Sequence, residues 1–276
     1  MSTVLPDGYI ALSARSAQGV GLMSLRVPLE TALGAGSFYA FAERAADARP
    51  LAGRGVAYAV ALPANAARVV VRRSRHGGLL AALTGDRFTA PTRAPYELDT
   101  SLRLTALGVR TPEVVAFATY PAGAFRRADV VTREVPGSVD LARVLAEPMP
   151  EDRRRTVLAA VAQLLADLTI AGARHPDLNI KNILLQRSAT GELVAYVLDV
   201  DRIWFDRPGS ARVTERNIAR LSRSARKWRR ASALDLADTD IGWLAATAHH
   251  LAAASSAAEE PREPANPAEP PAAATV

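Results

Sequence analysis

Asp177, Asn182 and Asp199 are the residues whose types and spacing can do chemistry. Asp177 and Asn182 share the stretch Arg174-His175-Pro176-Asp177-Leu178-Asn179-Ile180-Lys181-Asn182. Asp199 closes a downstream apolar run in Leu198-Asp199-Val200-Asp201. An aspartate at such a loop can orient a hydroxyl and take its proton, while an amide oxygen and a second carboxylate are hard donors of the kind Mg²⁺ prefers. Together they fit phosphoryl transfer from ATP, in which the protein supplies positioning and charge neutralisation more than covalent chemistry. Asp177 would then be catalytic and Asn182 and Asp199 the metal ligands, with Asp201 and Lys181 as accessory candidates. A blander role is open to Asp177 and Asn179, because Asp and Asn side chains also cap turns by bonding their own backbone.

The spacing is that of a kinase catalytic loop followed by a metal-binding turn. The flanks supply the elements such a loop needs. Glu151–Ala171 carries Val157, Leu158, Val161, Leu164, Leu165 and Leu168 at helical spacing and ends near Gly172, and Ile183-Leu184-Leu185 opens a buried strand. Upstream, Val56–Leu62 and Arg68–Arg73 read as a hairpin across Pro63-Ala64-Asn65-Ala66. Gly53 and Gly55 stand at its entrance, where glycine lets backbone amides approach a phosphate but also serves ordinary turns. Thr92–Leu107 is predicted as a helix capped by Thr92, with Leu98, Leu102, Ala106 and Leu107 on one face and Glu97 in its first turns. Pro112–Ala118 and Asp129–Val135 are strands separated by Pro121-Ala122-Gly123, and Asp140–Leu145 is a short helix. Residues 1–50 yield a strand at Tyr9–Ser13 and a helical patch around Phe38–Ala46.

The predicted helix Thr214–Arg230 repeats Ile218, Leu221, Ala225 and Trp228 on one face. The other face is basic: Arg216, Arg220, Arg223, Arg226 and Lys227 are candidates for an acceptor or membrane surface, against a solvated helix face as the plain alternative. Arginine supplies nearly all the basicity, since Lys181 and Lys227 are the only lysines and the formal charge is +6. Such a balance favours anionic partners without choosing among nucleotides, lipid headgroups and nucleic acid. The 276 residues contain no cysteine, which excludes disulfides, thiol nucleophiles and thiolate zinc sites. Met1–Tyr9 lacks the order of a signal peptide and no apolar run is long enough to span a bilayer, so a soluble or peripheral cytoplasmic protein is expected. From about residue 254 the chain becomes Ala, Glu and Pro in repetition and is expected to be a disordered tail.

Taken in order, these motifs resemble the 3-deoxy-D-manno-octulosonic acid (Kdo) kinase family, within the lipopolysaccharide core kinases of protein-kinase-like fold. The likeness lies in Gly53-Arg54-Gly55, Val70-Val71-Arg72-Arg73-Ser74-Arg75-His76-Gly77-Gly78, Thr92-Arg93-Ala94 with Glu97, His175–Asn182, Asp199-Val200-Asp201-Arg202 and Asn217-Ile218-Ala219-Arg220-Leu221-Ser222-Arg223-Ser224. The resemblance implies ATP and Mg²⁺ as cofactors and a hydroxyl of Kdo in the lipid A inner core as acceptor. It also implies work on a Kdo-lipid A precursor at the inner face of a Gram-negative inner membrane, peripherally attached to its anionic surface. Glu97 becomes the helix partner of a basic strand residue, and Asp201 assists the metal or orients Arg202. No lysine precedes Lys181, so the small-lobe phosphate contact either falls to an arginine, Arg72, a non-conservative replacement, or is absent.

The expected architecture is α+β and bilobal: residues 1–135 a small antiparallel-sheet lobe that binds nucleotide, 136–253 a mainly helical catalytic lobe, and 254–276 the tail. Two rivals stay open. An aminoglycoside- or choline-type phosphotransferase would use the same aspartates and asparagine. A catalytically weak kinase-like protein that docks on membrane or nucleic acid would explain the arginines, although no nucleic-acid-binding motif accompanies the charge.

Overall fold

The computed structural model describes residues 5–14, 16–51, 56–74, 88, 92–231, 234 and 236–259. Among them, seven strands form one antiparallel sheet: β1 (Tyr9–Ala14), β2 (Ala17–Leu22), β3 (Arg49–Leu51), β4 (Ala57–Ala61), β5 (Arg68–Arg73), β6 (Val114–Ala122) and β7 (Phe125–Arg133). Their spatial order is β1-β2-β6-β7-β5-β4-β3. The β4–β5 hairpin forms as read, with Ala57 opposite Arg72 and a 3₁₀ turn at Pro63–Asn65. The β6–β7 hairpin is longer than the sequence predicts. Pro121 and Ala122 stay in register with Arg126 and Phe125, so the turn tightens around Gly123 at φ 68°.

Two helices missed or only partly read upstream, α1 (Arg26–Gly34) and α2 (Phe38–Arg44), cover one sheet face. Leu29, Leu33 and Phe38 pack there against Leu12, Val60, Val69, Val71, Val115 and Val131. Burying side chains of this size contributes roughly 1.5–3 kcal/mol each, before ordering costs. Helix α3 (Ala94–Ala106) lies on the opposite face. Thr92 does not cap it: the N-cap position is Arg93, and the buried Thr92 hydroxyl has no hydrogen-bond partner among the described residues. Leu98, Ser101 and Leu104 form its buried stripe, whereas Leu107 has left the helix and is 44% exposed. Pro95 explains the shift, since a proline at the first helical turn fixes where the helix starts.

Beyond β7 the chain is mainly helical. It contains α4 (Leu141–Leu145), α5 (Glu151–Ile170), α6 (Ala211–Ala231) and α7 (Asp238–Glu259), with short strands β8 (Val139–Asp140), β9 (Ala173–Arg174), β10 (Ile183–Arg187), β11 (Leu193–Val197) and β12 (Trp204–Phe205). Asp140 caps α4 by accepting from the Arg143 amide at 2.9 Å. Helix α5 is the spine of this half; Val161, Leu164, Leu165 and Leu168 are buried against α6, α7 and the β10–β11 hairpin. The expected tail boundary at 254 is too early, because α7 continues to Glu259. Alanine-rich sequence propagates helix well.

Candidate active site

Gly172 sets the entry to the site. It ends α5 at φ 67°, and a Cβ there would stand 2.3 Å from the Asp206 carbonyl oxygen, so only glycine allows β9 to lie against β12. The chain then turns through His175-Pro176-Asp177. The buried His175 Nδ1 accepts from the Asp177 amide at 3.3 Å and its Nε2 faces the Leu198 carbonyl at 3.0 Å. These partners specify the neutral imidazole protonated at Nε2. Burial lowers the His175 pKa below 6.5, while the Leu198 carbonyl and the charges of Asp199, Asp177 and Asp201 pull it back up. One buried ring therefore feels all three carboxylates.

Asn182 and Asp199 meet because β10 and β11 pair with Ile183 opposite Val197. The Leu198 amide donates to the Asn182 carbonyl at 2.9 Å, which puts both polar residues at the same end of the hairpin. Asp199 adopts the left-handed conformation, φ 55° and ψ 47°, which is uncommon outside glycine and tends to be retained at functional sites. The plain turn-capping role falls to Asn179, whose Oδ1 accepts from the Lys181 amide and whose Nδ2 donates to the Asp177 carbonyl.

The donor set fits Mg²⁺. Asn182 Nδ2 donates to the Asp177 carbonyl at 3.2 Å, which leaves its amide oxygen for a cation. Asp199 is exposed and, among the described residues, carries no ion pair or hydrogen bond. No cluster of three His, Asp or Glu side chains offers a self-sufficient metal cage among these residues. Two protein oxygens are what Mg²⁺ uses when phosphates and water complete its shell.

From the sheet, Arg72 on β5 forms an ion pair with Glu97 on α3, their side chains 27% and 5% exposed. Burial disfavours the Arg72 charge, but Glu97, Asp199 and Asp201 outweigh it and its pKa is raised. Burial likewise lifts the Glu97 carboxyl above the usual range while Arg72 opposes the shift. The arginine faces the carboxylates of the helical half.

Other expectations need revision. Arg220 is no free surface cation: its Nε donates to the Pro176 carbonyl at 2.9 Å and a terminal nitrogen donates to Asp177 Oδ1 at 2.7 Å. Arg226 is taken up by Asp238, at 3.2 Å. Asp201 pairs with Arg93, at 3.5 Å, and not with Arg202. Lys181 Nζ lies over the Trp228 ring, 4.5 Å from its centroid. Arg216, Arg223 and Lys227 are exposed as expected. Gly53 and Gly55 lie outside the described residues. The sequence named Asn217 only within a family motif and gave it no role; its buried side chain accepts from the His175 amide and donates to the Ala173 carbonyl. A polar residue on the apolar face of a predicted helix was the signal that could have found it.

A family model described as the lipopolysaccharide kinase (Kdo/WaaP) family matches residues 41–249. The chain belongs to this family. It is 29% identical to a 3-deoxy-D-manno-octulosonic acid kinase of Vibrio parahaemolyticus over 180 residues, which is 63% of this chain and 71% of the relative. The same description applies to a protein of Xanthomonas oryzae pv. oryzae, 31% identical over 188 residues, covering 66% and 71%. A solved structure titled "WaaP in complex with acyl carrier protein" aligns with a TM-score of 0.44 at 20% identity, over 74% of this chain and 88% of that one. The family member described here is a phosphotransferase with an alcohol acceptor, of lipopolysaccharide kinase type, and its α+β fold is the antiparallel sheet followed by the mainly helical half. None of its described helices is long and apolar enough to cross a membrane.

Proposed function

We propose that this chain transfers the γ-phosphate of ATP to a hydroxyl of Kdo in the lipid A inner core. The observation that supports it most is the geometry of the loops: the buried His175 ring bonds both the Asp177 amide and the Leu198 carbonyl, the Leu198 amide bonds the Asn182 carbonyl, and Arg72 pairs with Glu97 on the sheet side. In this reading Asp177 holds the acceptor hydroxyl in line and takes its proton. The acceptor oxygen bonds to the γ-phosphorus as the bond to the bridging oxygen breaks and ADP leaves. Arg72, braced by Glu97, contacts the nucleotide phosphates. Asn182 and Asp199 would hold Mg²⁺, which when bound neutralises phosphate charge. The chain would work at the cytoplasmic face of the inner membrane, attached peripherally.

The test is transfer of labelled phosphate from Mg-ATP to Kdo-lipid A by purified protein. The wild type should label the Kdo moiety and Asp177→Ala should lose at least about 100-fold in rate. Label reaching no Kdo acceptor would reject the assignment; label reaching aminoglycoside or choline instead would move the chain to another acceptor class.

A further inference from the structure

Arg220 begins a cationic track on α6 that runs away from the catalytic aspartate. Arg223, Lys227 and Arg230 follow it by three, seven and ten residues, positions that share one side of a helix. With a rise of 1.5 Å per residue they stand at about 5, 10 and 15 Å along the axis from the residue that holds Asp177. Arg223, Arg226, Lys227 and Arg230 line one shallow depression together with Ala231. Asp238 pairs with Arg226, and also with Arg229 outside the depression. The other three cations have no acidic partner among the described residues, whereas Arg49 and Arg68 share Glu134 and Arg133 pairs with Glu113. Placing three uncompensated cations along one helix side is destabilising unless an anion joins them. The catalytic loop abuts the same helix, through Lys181 on Trp228 and the Ile180 amide on Ser224.

We propose that Arg223, Lys227 and Arg230 form a subsite for a phosphate monoester carried by the acceptor itself, on the side of α6 that starts at Arg220 beside Asp177. This rests on the phosphotransfer reading above. The concave lining and the direct run from Asp177 favour a group on the acceptor over the diffuse charge of a membrane. Guanidinium and ammonium groups together suit a phosphate, which can take fork and point contacts at once.

The experiment compares wild type with the triple variant Arg223→Gln, Lys227→Gln, Arg230→Gln. The acceptors are Kdo-lipid A and the same material after enzymatic removal of its phosphates, both with Mg-ATP. Dephosphorylation should raise the wild-type KM by about tenfold or more, and that of the triple variant by less than about twofold, since phosphate and cations are two halves of one contact. Equal penalties in both proteins, or a triple variant indistinguishable from wild type, would overturn the subsite. Phosphatidylglycerol vesicle binding lost in the variant together with equal dephosphorylation penalties would assign the track to bulk membrane charge and likewise refute it. Should neither acceptor be phosphorylated by wild type, the phosphotransfer reading falls. Equilibrium binding of the two acceptor forms to both proteins then decides the subsite by the same ratio. Thermal midpoints of the variant within a few degrees of wild type establish that it folds.

Discussion

Replacing Arg220 by methionine removes two contacts at once, the bond to the Pro176 carbonyl and the bond to the Asp177 carboxylate, while keeping a stem of similar length. The pair is mostly shielded, with side chains 29% and 19% exposed. A hydrogen bond to a charged group contributes about 1.5–3 kcal/mol, and residual solvent screening trims this toward about 1–2 kcal/mol of stability. Its larger consequence concerns rate. Asp177 is useful as a base only if its carboxylate is aimed, and forfeiting a similar free energy from the transition state lowers kcat about 10- to 100-fold. Initial rates of Mg-ATP-dependent labelling of Kdo-lipid A, with urea unfolding in parallel, measure both quantities. Arg220→Lys restores charge without the fork and should recover only part of the rate, and added guanidinium should partly rescue the methionine variant. A methionine variant within twofold of wild-type kcat, beside an inactive Asp177→Ala, would show that Arg220 does not position the aspartate.

Glu97→Ala leaves Arg72 partly buried without its partner and is expected to cost about 3–5 kcal/mol in urea unfolding. Arg72→Lys, which keeps a charge opposite Glu97, should cost less; equal losses would argue against a coupled pair. The His175 imidazole has a depressed pKa in the folded chain, so as pH falls through its ordinary 6.5 the unfolded chain takes the proton first and stability drops. The decline is at most about 1.4 kcal/mol per pH unit and ends once the folded pKa is passed. Urea midpoints between about pH 7.5 and pH 5 should fall less steeply in His175→Gln, and parallel slopes would refute the linkage. Gly172→Ala should destabilise by roughly 1–3 kcal/mol, from strain at positive φ and collision with the Asp206 backbone. A thermal midpoint unchanged by that substitution would mean that β9 and β12 can separate freely.

Local rules carried the reading where one segment sets its own structure. Helix α5, the β4–β5 hairpin and the loop from His175 to Asn182 follow from apolar period, turn residues and a spaced set of oxygen donors, all contained within short windows. Helix α1 escaped because Arg26–Gly34 buries only Leu29, Ala32 and Leu33, a stripe too narrow to separate from a loop without the sheet beneath it. The basic side of α6 was visible as charge, but charge alone does not say which arginine faces solvent. Arg220 and Arg223 have the same side chain and stand three residues apart on one helix, yet one is bonded to Asp177 and the other stands in an open depression.

The sequence by itself determined the side chains available, aspartates and an asparagine at loop spacing, an arginine on a strand and a glutamate on a helix, in a fixed order along the chain. Only the tertiary structure decided which charges meet. Arg72 and Glu97 belong to different elements, as do Arg220 and Asp177, and Arg93 takes Asp201 in place of Arg202. The reason is physical. Side-chain types and local periodicity are encoded residue by residue, whereas ion pairing depends on distance and solvent exclusion, which exist only once the sheet and the helices have packed.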